Sequence, residues 1–150
     1  MATTKKITPF LWFDGQAEEA AKFYTSIFPN SKIEKIVRSG DTVMVVDFSL
    51  DGQKFNALNG GPQFKFNEAI SFVVNCDTQD EVDYFWEKLT ADGGEESMCA
   101  WLKDKFGVSW QIVPEALPRL LADPDPAVAQ TAMAAMLKMR KIVIADLTKA

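Results

Sequence analysis

The spacing of apolar residues predicts a chain in which strands and helices alternate. Residues 7–13 are dense in aromatic and β-branched side chains, which is typical of a strand. The next stretch carries apolar residues at the i, i+3, i+4 and i+7 spacing of one helix face, and it ends at Pro29-Asn30. The stripe consists of Ala17, Ala20, Ala21, Tyr24, Ile27 and Phe28. We therefore expect a strand followed by an amphipathic helix.

Three strands are predicted after this helix. Residues 33–38 and 42–50 are rich in β-branched and aromatic side chains, and Asp51-Gly52 is a strong hairpin signal before residues 54–59. One face of the middle strand is entirely apolar and carries Met44, Val46, Phe48 and Leu50. We expect the first helix to cover that face.

The same order of elements recurs in the second half of the chain. Residues 69–75 predict a strand, and Thr78 with Glu81 has the spacing of a capping box at the start of a helix. The helix should end at Gly93-Gly94. Its expected buried stripe is Val82, Phe85, Trp86 and Leu89.

Strands are expected again over residues 98–103 and 108–113, with a weakly marked one near 95–97. The chain thus contains two βαβββ units that repeat in pattern rather than in identity, at about 7–60 and 69–114. After Pro114 the composition changes to proline-marked helices rich in alanine, methionine and leucine. We predict an α+β fold in a single domain, 1–150, with a helical appendix over 115–150.

Composition narrows the possible functions. The 150 residues suit one globular domain, and 16 basic against 21 acidic residues leave a net charge of −5 without a basic cluster, which disfavours nucleic-acid binding. The chain has no histidine, so histidine acid–base catalysis and histidine metal sites are excluded. Two widely separated cysteines and a polar segment 1–6 favour a reduced, cytoplasmic setting with no membrane association.

A ligand-binding cleft is expected on the sheet faces that the helices leave free, if the two sheets curl around it. Alternation along the strands puts these side chains on the free faces: Asp47, Phe55, Ala57, Asn59, Ala69, Ser71, Val73, Ser109 and Gln111. The neutral polar groups of Asn59, Ser71 and Gln111 could converge on a small ligand, or could bond only to neighbours and water.

Aromatic and reactive residues add further candidates. Phe64 and Phe66 lie in the loop that follows Gly60-Gly61-Pro62, where we expect them to line the cleft mouth. Trp101 is either an aromatic wall of the cleft or part of the core. Asp47 alone is a poor metal ligand set, so we expect no metal and no cofactor. Cys99 could be a nucleophile, but a small buried hydrophobe is the favoured reading because no histidine can deprotonate it.

Four runs of sequence carry a family resemblance. Residues 7–15, 20–24, 57–62 and 101–114 resemble the PhnB-like branch of the vicinal oxygen chelate superfamily, which includes glyoxalase I, bleomycin-resistance proteins and extradiol dioxygenases. Members of this branch are often described as 3-demethylubiquinone-9 3-methyltransferases. The resemblance implies glyoxalase-like paired βαβββ modules forming a curled sheet around a cleft, and commonly a homodimer.

The resemblance also implies where a metal would bind. The corresponding positions fall near Pro9, between Phe55 and Asn59, at Ala69 or Ser71, and at Gln111, and none keeps a strong ligand. We therefore expect a metal-independent small-molecule-binding protein with an unknown organic ligand. An enzyme is the alternative: either the methyltransferase, although no cofactor-binding strand-loop-helix is visible, or a glyoxalase-like lyase that recruits Asp47, Cys99 or groups of the substrate. A purely structural or partner-binding module is a third possibility.

Overall fold

The computed structural model describes residues 5–149, which divide into two compact units at the junction of Phe66 and Asn67. Each unit contains one four-stranded sheet whose strands and covering helix follow the order βαβββ, and further helices follow in the second unit. The predicted α+β class with paired βαβββ modules is confirmed.

The first unit begins with a parallel strand pair, and its remaining strands are antiparallel. The sheet order is β1-β4-β3-β2, and β1 runs parallel to β4. Its elements are β1 (Phe10–Phe13), α1 (Ala17–Ile27), β2 (Lys32–Ser39), β3 (Thr42–Leu50) and β4 (Gln53–Asn59).

Helix α1 covers the apolar face of β3, as its sequence predicts. The ring of Phe48 stacks on Tyr24 of the helix with centroids 6.2 Å apart, and on Phe55 of β4 at 5.3 Å. Val46 and Leu50 are buried on the same face, whereas Met44 remains exposed near the start of the strand. The core of this unit is thus aromatic at its centre.

The expected facing of β4 is wrong. Phe48 pairs with Phe55 and Val46 pairs with Ala57, so Phe55, Ala57 and Asn59 lie on the helix side of the sheet. The reason is the two-residue turn at Asp51-Gly52, which pairs Leu50 with Gln53 and so places odd-numbered residues of β4 opposite even-numbered residues of β3. The free face of β4 instead presents Asn56 and Leu58.

The second unit has the sheet order β5-β8-β7-β6, with β5 parallel to β8. Its sheet and covering helix are β5 (Phe72–Cys76), α2 (Gln79–Thr90), β6 (Glu95–Glu96), β7 (Trp101–Lys103) and β8 (Ser109–Pro114). The chain continues into α3 (Ala116–Leu121), α4 (Pro126–Met136) and a 3-10 turn (Ile144–Asp146).

Helix α2 begins as the capping spacing predicts. The side chain of Thr78 accepts a hydrogen bond from the Glu81 amide at 3.2 Å, and the Glu81 carboxylate accepts one from the Asp77 amide. The predicted stripe of Val82, Phe85, Trp86 and Leu89 is buried.

Strands β5 and β7 start later than the sequence suggests. Ala69 and Ser71 precede β5 in a turn and a short extended link, and Met98, Cys99 and Ala100 precede β7. Cys99 and Ala100 have φ angles of 58° and 79°, in the left-handed region. Their amides donate to the carbonyls of Met139 and Arg140, and the Ala100 carbonyl accepts from the Ile112 amide of β8, so the tail and the sheet together hold this segment.

The residues after Pro114 pack onto the second unit. Pro126 is the first residue of α4, and the Asp125 side chain caps that helix. Ala116, Leu117, Ile142 and Leu147 form a buried cluster with Ala100, against which Met136 and Met139 pack. Within residues 5–149, every helix is too short or too polar to cross a bilayer.

Candidate functional site

The free face of the second unit brings three of the predicted site residues together. Trp101 and Gln111 are direct cross-strand partners on the side of the sheet away from α2. The Gln111 side-chain amide donates to the Ser71 hydroxyl at 2.9 Å, although Ser71 lies just before β5 rather than within it. All three side chains are half-buried, so this face offers a hydroxyl, an amide and an indole at one place.

The free face of the first unit carries a carboxylate–amide pair. Asp47 of β3 lies opposite Asn56 of β4, and the Asn56 amide donates a hydrogen bond to the Asp47 carboxylate. Both residues are half-buried, and Lys35 of β2 is the partner of Asp47 on the other side. Asp47 is thus presented on the free face, as expected, and Asn56 is a polar neighbour that the expected register of β4 missed.

The two phenylalanines of the loop after β4 lie in different environments. Phe64 is 65% exposed and packs edge-to-face on Trp12 with centroids 4.9 Å apart. The Trp12 indole donates to the Gly61 carbonyl at 2.9 Å, and a Cβ at Gly60 would lie only 2.4 Å from the Trp12 ring. Phe66 instead packs on Phe13, which belongs to the helix side. Phe64 therefore borders the free face, and Phe66 supports the core.

Asn59 is engaged inside the first unit. Its side-chain carbonyl accepts a hydrogen bond from the Ala17 amide at 2.9 Å, in the first turn of α1, and its amide donates to the Val43 carbonyl at 3.0 Å. The side chain thus joins the end of β4 to a helix start and to a neighbouring strand. This is a structural role, and it follows from the helix-side facing that the hairpin turn imposes.

The two cysteines differ in environment. Cys76 is almost completely buried, and this burial, helped by the nearby charges of Glu81 and Asp77, raises the pKa of its thiol to about 12. Cys99 is half-buried in the left-handed segment before β7. Both thiols are free.

A buried carboxylate shapes the turn between β7 and β8. Asp104 is 3% exposed and accepts hydrogen bonds from the amides of Phe106 and Val108, at 2.8 and 3.1 Å. It also accepts one from the indole of Trp110 at 2.9 Å. These bonds fix the turn that aligns Trp101 with Gln111, so we assign Asp104 a structural role.

Paired βαβββ units of this kind define the class of the glyoxalase/bleomycin-resistance proteins. A glyoxalase/bleomycin resistance protein from Albidiferax ferrireducens shares this fold at 13% identity and a TM-score of 0.52, over 72% of this chain and 96% of its own. The manganese- and sulfate-bound fosfomycin resistance protein FosX from Listeria monocytogenes shares it at 14% identity and a TM-score of 0.54, over 74% and 92%.

The chain belongs to the family described as 3-demethylubiquinone-9 3-methyltransferase, which its residues 5–113 match. It is 38% identical to the PhnB protein of Bacillus cereus, a candidate 3-demethylubiquinone-9 3-methyltransferase, over 73% of this chain and 99% of that one, with a TM-score of 0.68. None of the curated proteins matches the sequence significantly. The family match ends just before α3, so α3, α4 and the residues after them extend beyond it.

The side chains on the free faces fit a metal ion poorly. Ser71 and Gln111 are neutral, and the Gln111 amide donates a hydrogen bond to the Ser71 hydroxyl. Asp47 is paired with an amide, which cannot add the negative charge that a divalent ion requires. In the described part of the chain, no three cysteine, aspartate or glutamate side chains are placed to hold an ion together.

Proposed function

We propose that this protein binds a small organic molecule on the free sheet faces of its βαβββ units, without the help of a metal ion. The observation that carries the proposal is the group formed by Ser71, Trp101 and Gln111, in which half-buried polar atoms lie beside an indole on the sheet face opposite α2. A few placed polar groups next to aromatic surface are typical of ligand sites. Asp47, Phe64 and Trp12 offer the same combination in the first unit.

The proposal treats residues 1–150 as one ligand-binding domain, with halves near 7–60 and 69–114 and a tail over 115–150. Asn59 is not part of this proposal, because its amide is engaged by α1 and β3. Phe66 would act only by supporting the loop that carries Phe64.

A screen of small molecules by thermal shift tests the proposal, with Gln111→Ala and Asp47→Ala as site variants. We expect at least one neutral organic compound to raise the melting temperature, and the shift to shrink in Gln111→Ala. An exposed glutamine of α4, Gln130, gives the matched control variant Gln130→Ala. Stoichiometric, tight binding of a divalent ion that is lost in Gln111→Ala would contradict the metal-free part of the proposal.

An enzyme is the second candidate function, favoured by the family description and by the name of the PhnB relative. It would be a 3-demethylubiquinone-9 3-methyltransferase, or a glyoxalase-like lyase that uses Asp47 or Cys99. Turnover of demethylubiquinone with S-adenosylmethionine, abolished by Ser71→Ala or Cys99→Ala, would favour this candidate over binding alone. Absence of turnover in protein that binds a ligand would favour the first.

The proposal also includes a cytoplasmic homodimer. Two free cysteines suit a reducing compartment, and the resemblance to the PhnB-like branch implies dimerisation. Sedimentation equilibrium of the intact chain tests the dimer, since a monomer at all concentrations would contradict it.

A further inference from the structure

A small recess on the second unit has no role in the proposal above. Its volume is about 180 Å³, and it lies at the end of the sheet where β6, β7 and β8 are neighbours. Its lining includes three glutamates, one lysine, two serines and an indole: Glu68, Glu95, Glu96, Lys103, Ser97, Ser109 and Trp101. It therefore adjoins the Ser71–Trp101–Gln111 group and shares Trp101 with it.

The lining carries an excess of negative charge. Two carboxylates lie beside the one ammonium, that of Lys103: Glu95 is its cross-strand partner, and the Glu68 carboxylate is 2.9 Å from it. Hydrogen bonding from Lys103 lowers the pKa of Glu68, so this carboxylate stays ionised near neutrality. The Glu96 carboxylate instead accepts a hydrogen bond from the Trp86 indole of α2 at 2.7 Å, on the opposite face of the sheet, while Glu95 is exposed. Such a lining favours a cation.

A buried hydroxyl marks the floor of this recess. Ser109 is 2% exposed, and its Oγ has no hydrogen-bond partner among residues 5–149. A buried hydroxyl without a partner is costly, and it is normally satisfied by a neighbour, a water molecule or a ligand. Ser109 is the direct cross-strand partner of Lys103, so both side chains lie on the same face, about 5 Å apart at Cβ.

The geometry disfavours a metal ion as the cation. Holding a divalent ion requires several oxygen ligands converging within about 2.6 Å of one point, and the described residues offer no three acidic or thiol groups placed in that way. An organic ammonium needs only separate hydrogen-bond acceptors at its surface. The recess already accepts one such group, because the side chain of Lys103 is a primary amine on a four-carbon stem.

We propose that this recess binds a small primary amine, whose ammonium replaces that of Lys103 on Glu68 and reaches Glu95 and Ser109, with its carbon chain against Trp101. The inference rests on the proposed function in so far as it names the ligand class for one part of the free face. An ammonium near an indole gains further attraction from the ring. Lys103 is then a competitor within the chain, because its ammonium pairs with Glu68 when no ligand is bound.

Three compounds with the same four-carbon chain test the chemistry: n-butylamine, 1-butanol and butyrate. Binding is followed in the intact protein by the shifts of the Trp101 indole and of the Lys103 and Ser109 amides in nuclear magnetic resonance spectra. We expect n-butylamine to bind at least about tenfold more tightly than 1-butanol and butyrate to show no saturable shift, because the lining is anionic. Equal shifts with amine and alcohol, or preference for butyrate, would overturn the inference.

Paired variants test the residues. Glu95→Gln should weaken butylamine binding about fivefold, whereas Glu87→Gln, the same change on the outer face of α2, should leave it unchanged. Lys103→Met removes the competing ammonium and should strengthen binding several-fold, and Lys88→Met on α2 should not. Ser109→Ala should weaken binding without lowering stability, since it removes a hydroxyl that has no partner. If the two variants of each pair changed butylamine binding equally, the effect would be one of overall charge and would contradict the inference.

The same spectra separate failure of this inference from failure of the proposed function. If neutral compounds from the screen shift Trp101 and Gln111 while butylamine shifts neither Lys103 nor Ser109, the recess is not an amine site and the proposed function stands. If no compound shifts either group of residues, both are overturned.

Discussion

Two cysteines of this chain occupy environments that differ in solvent access, and this difference decides their reactivity. Disulfide exchange requires a thiolate that the reagent can reach. Cys76 is 1% exposed and its pKa is raised to about 12, whereas Cys99 is half-buried. We expect an aromatic disulfide reagent to modify Cys99 in the folded protein at least about a hundredfold faster than Cys76. Both should react in denaturant.

The variant Cys99→Ser identifies the thiol that reacts. It should remove the fast phase of thiol modification and leave only Cys76, which reacts slowly because the reagent reaches it only when the protein unfolds. Equal rates for the two thiols in native protein would contradict the burial of Cys76, and loss of the fast phase in Cys76→Ser would contradict the assignment.

The buried carboxylate of Asp104 makes a second prediction about a single residue. Asp104→Ala removes the acceptor of three hydrogen bonds, from the amides of Phe106 and Val108 and from the Trp110 indole. We expect the free energy of unfolding to fall by about 3 kcal/mol or more, as measured by urea denaturation. Asp80→Ala, on the exposed first turn of α2, is the control and should cost less than about 1 kcal/mol. Similar losses for both would contradict the structural role of Asp104.

At the scale of elements, Asn59 shows how one side chain can join three of them. It bonds the first turn of α1 and the carbonyl of Val43 from the end of β4. Asn59→Ala should lower the free energy of unfolding by about 1–3 kcal/mol because two internal hydrogen bonds are lost. The measurement is again urea denaturation.

Asn56, in the same strand but on its opposite face, provides the matched comparison. Asn56→Ala loses only the bond to Asp47 on the free face and should cost less than about 1 kcal/mol. If Asn56→Ala proved the more destabilising change, the facing of β4 described above would be wrong. Ligand binding to the free face of the first unit should show the reverse order, with Asn56→Ala having the larger effect.

The sequence also predicted most elements correctly, for reasons local to the chain. The stripe from Ala17 to Ile27 and the Thr78–Glu81 cap define helices because periodicity and capping act within a few residues. The start of β7 could not be predicted in this way. Cys99 and Ala100 have strand-like neighbours, yet their amides bond to carbonyls near residue 140, and no local pattern encodes that contact.

At the scale of the whole molecule, the extension beyond the family match is part of the second unit's core. Gln79, the first residue of α2, bonds to this extension through both the carbonyl and the NH2 group of its side chain. The carbonyl accepts from the Ile144 amide at 2.8 Å, and the amide donates to the Ile142 carbonyl at 3.0 Å. Nearby, Lys141 pairs with Asp83 at 2.8 Å.

Gln79→Ala should therefore loosen the extension. We expect hydrogen exchange at the Ile144 amide to accelerate by about tenfold or more, because that amide loses its acceptor. Gln130→Ala on the exposed side of α4 should leave this exchange unchanged. Unaltered protection of Ile144 in Gln79→Ala would show that other contacts suffice to hold the extension.

The pairing of Lys141 with Asp83 makes the stability of the folded protein depend on pH. Hydrogen bonds from Lys141 and Gln79 lower the pKa of Asp83 in the folded protein. The resulting stabilisation is present above the unfolded-state pKa of aspartate, near 3.9, and is lost as the pH falls through the lowered folded value. Asp83→Asn should remove this acid-sensitive contribution, which is small because the pair is exposed to solvent.

The pattern of residues along the chain was enough to determine the order of its elements, its two βαβββ repeats, and the exclusion of histidine chemistry. These depend on short-range periodicity, turn residues and composition, which a sequence displays directly. Only the tertiary structure decided that Asn59 anchors a helix, that Ser71 bonds to Gln111, and that the Ser109 hydroxyl has no partner among residues 5–149. Strand register and contacts between distant segments set these outcomes, because a shift of one residue moves every side chain of a strand to the other face.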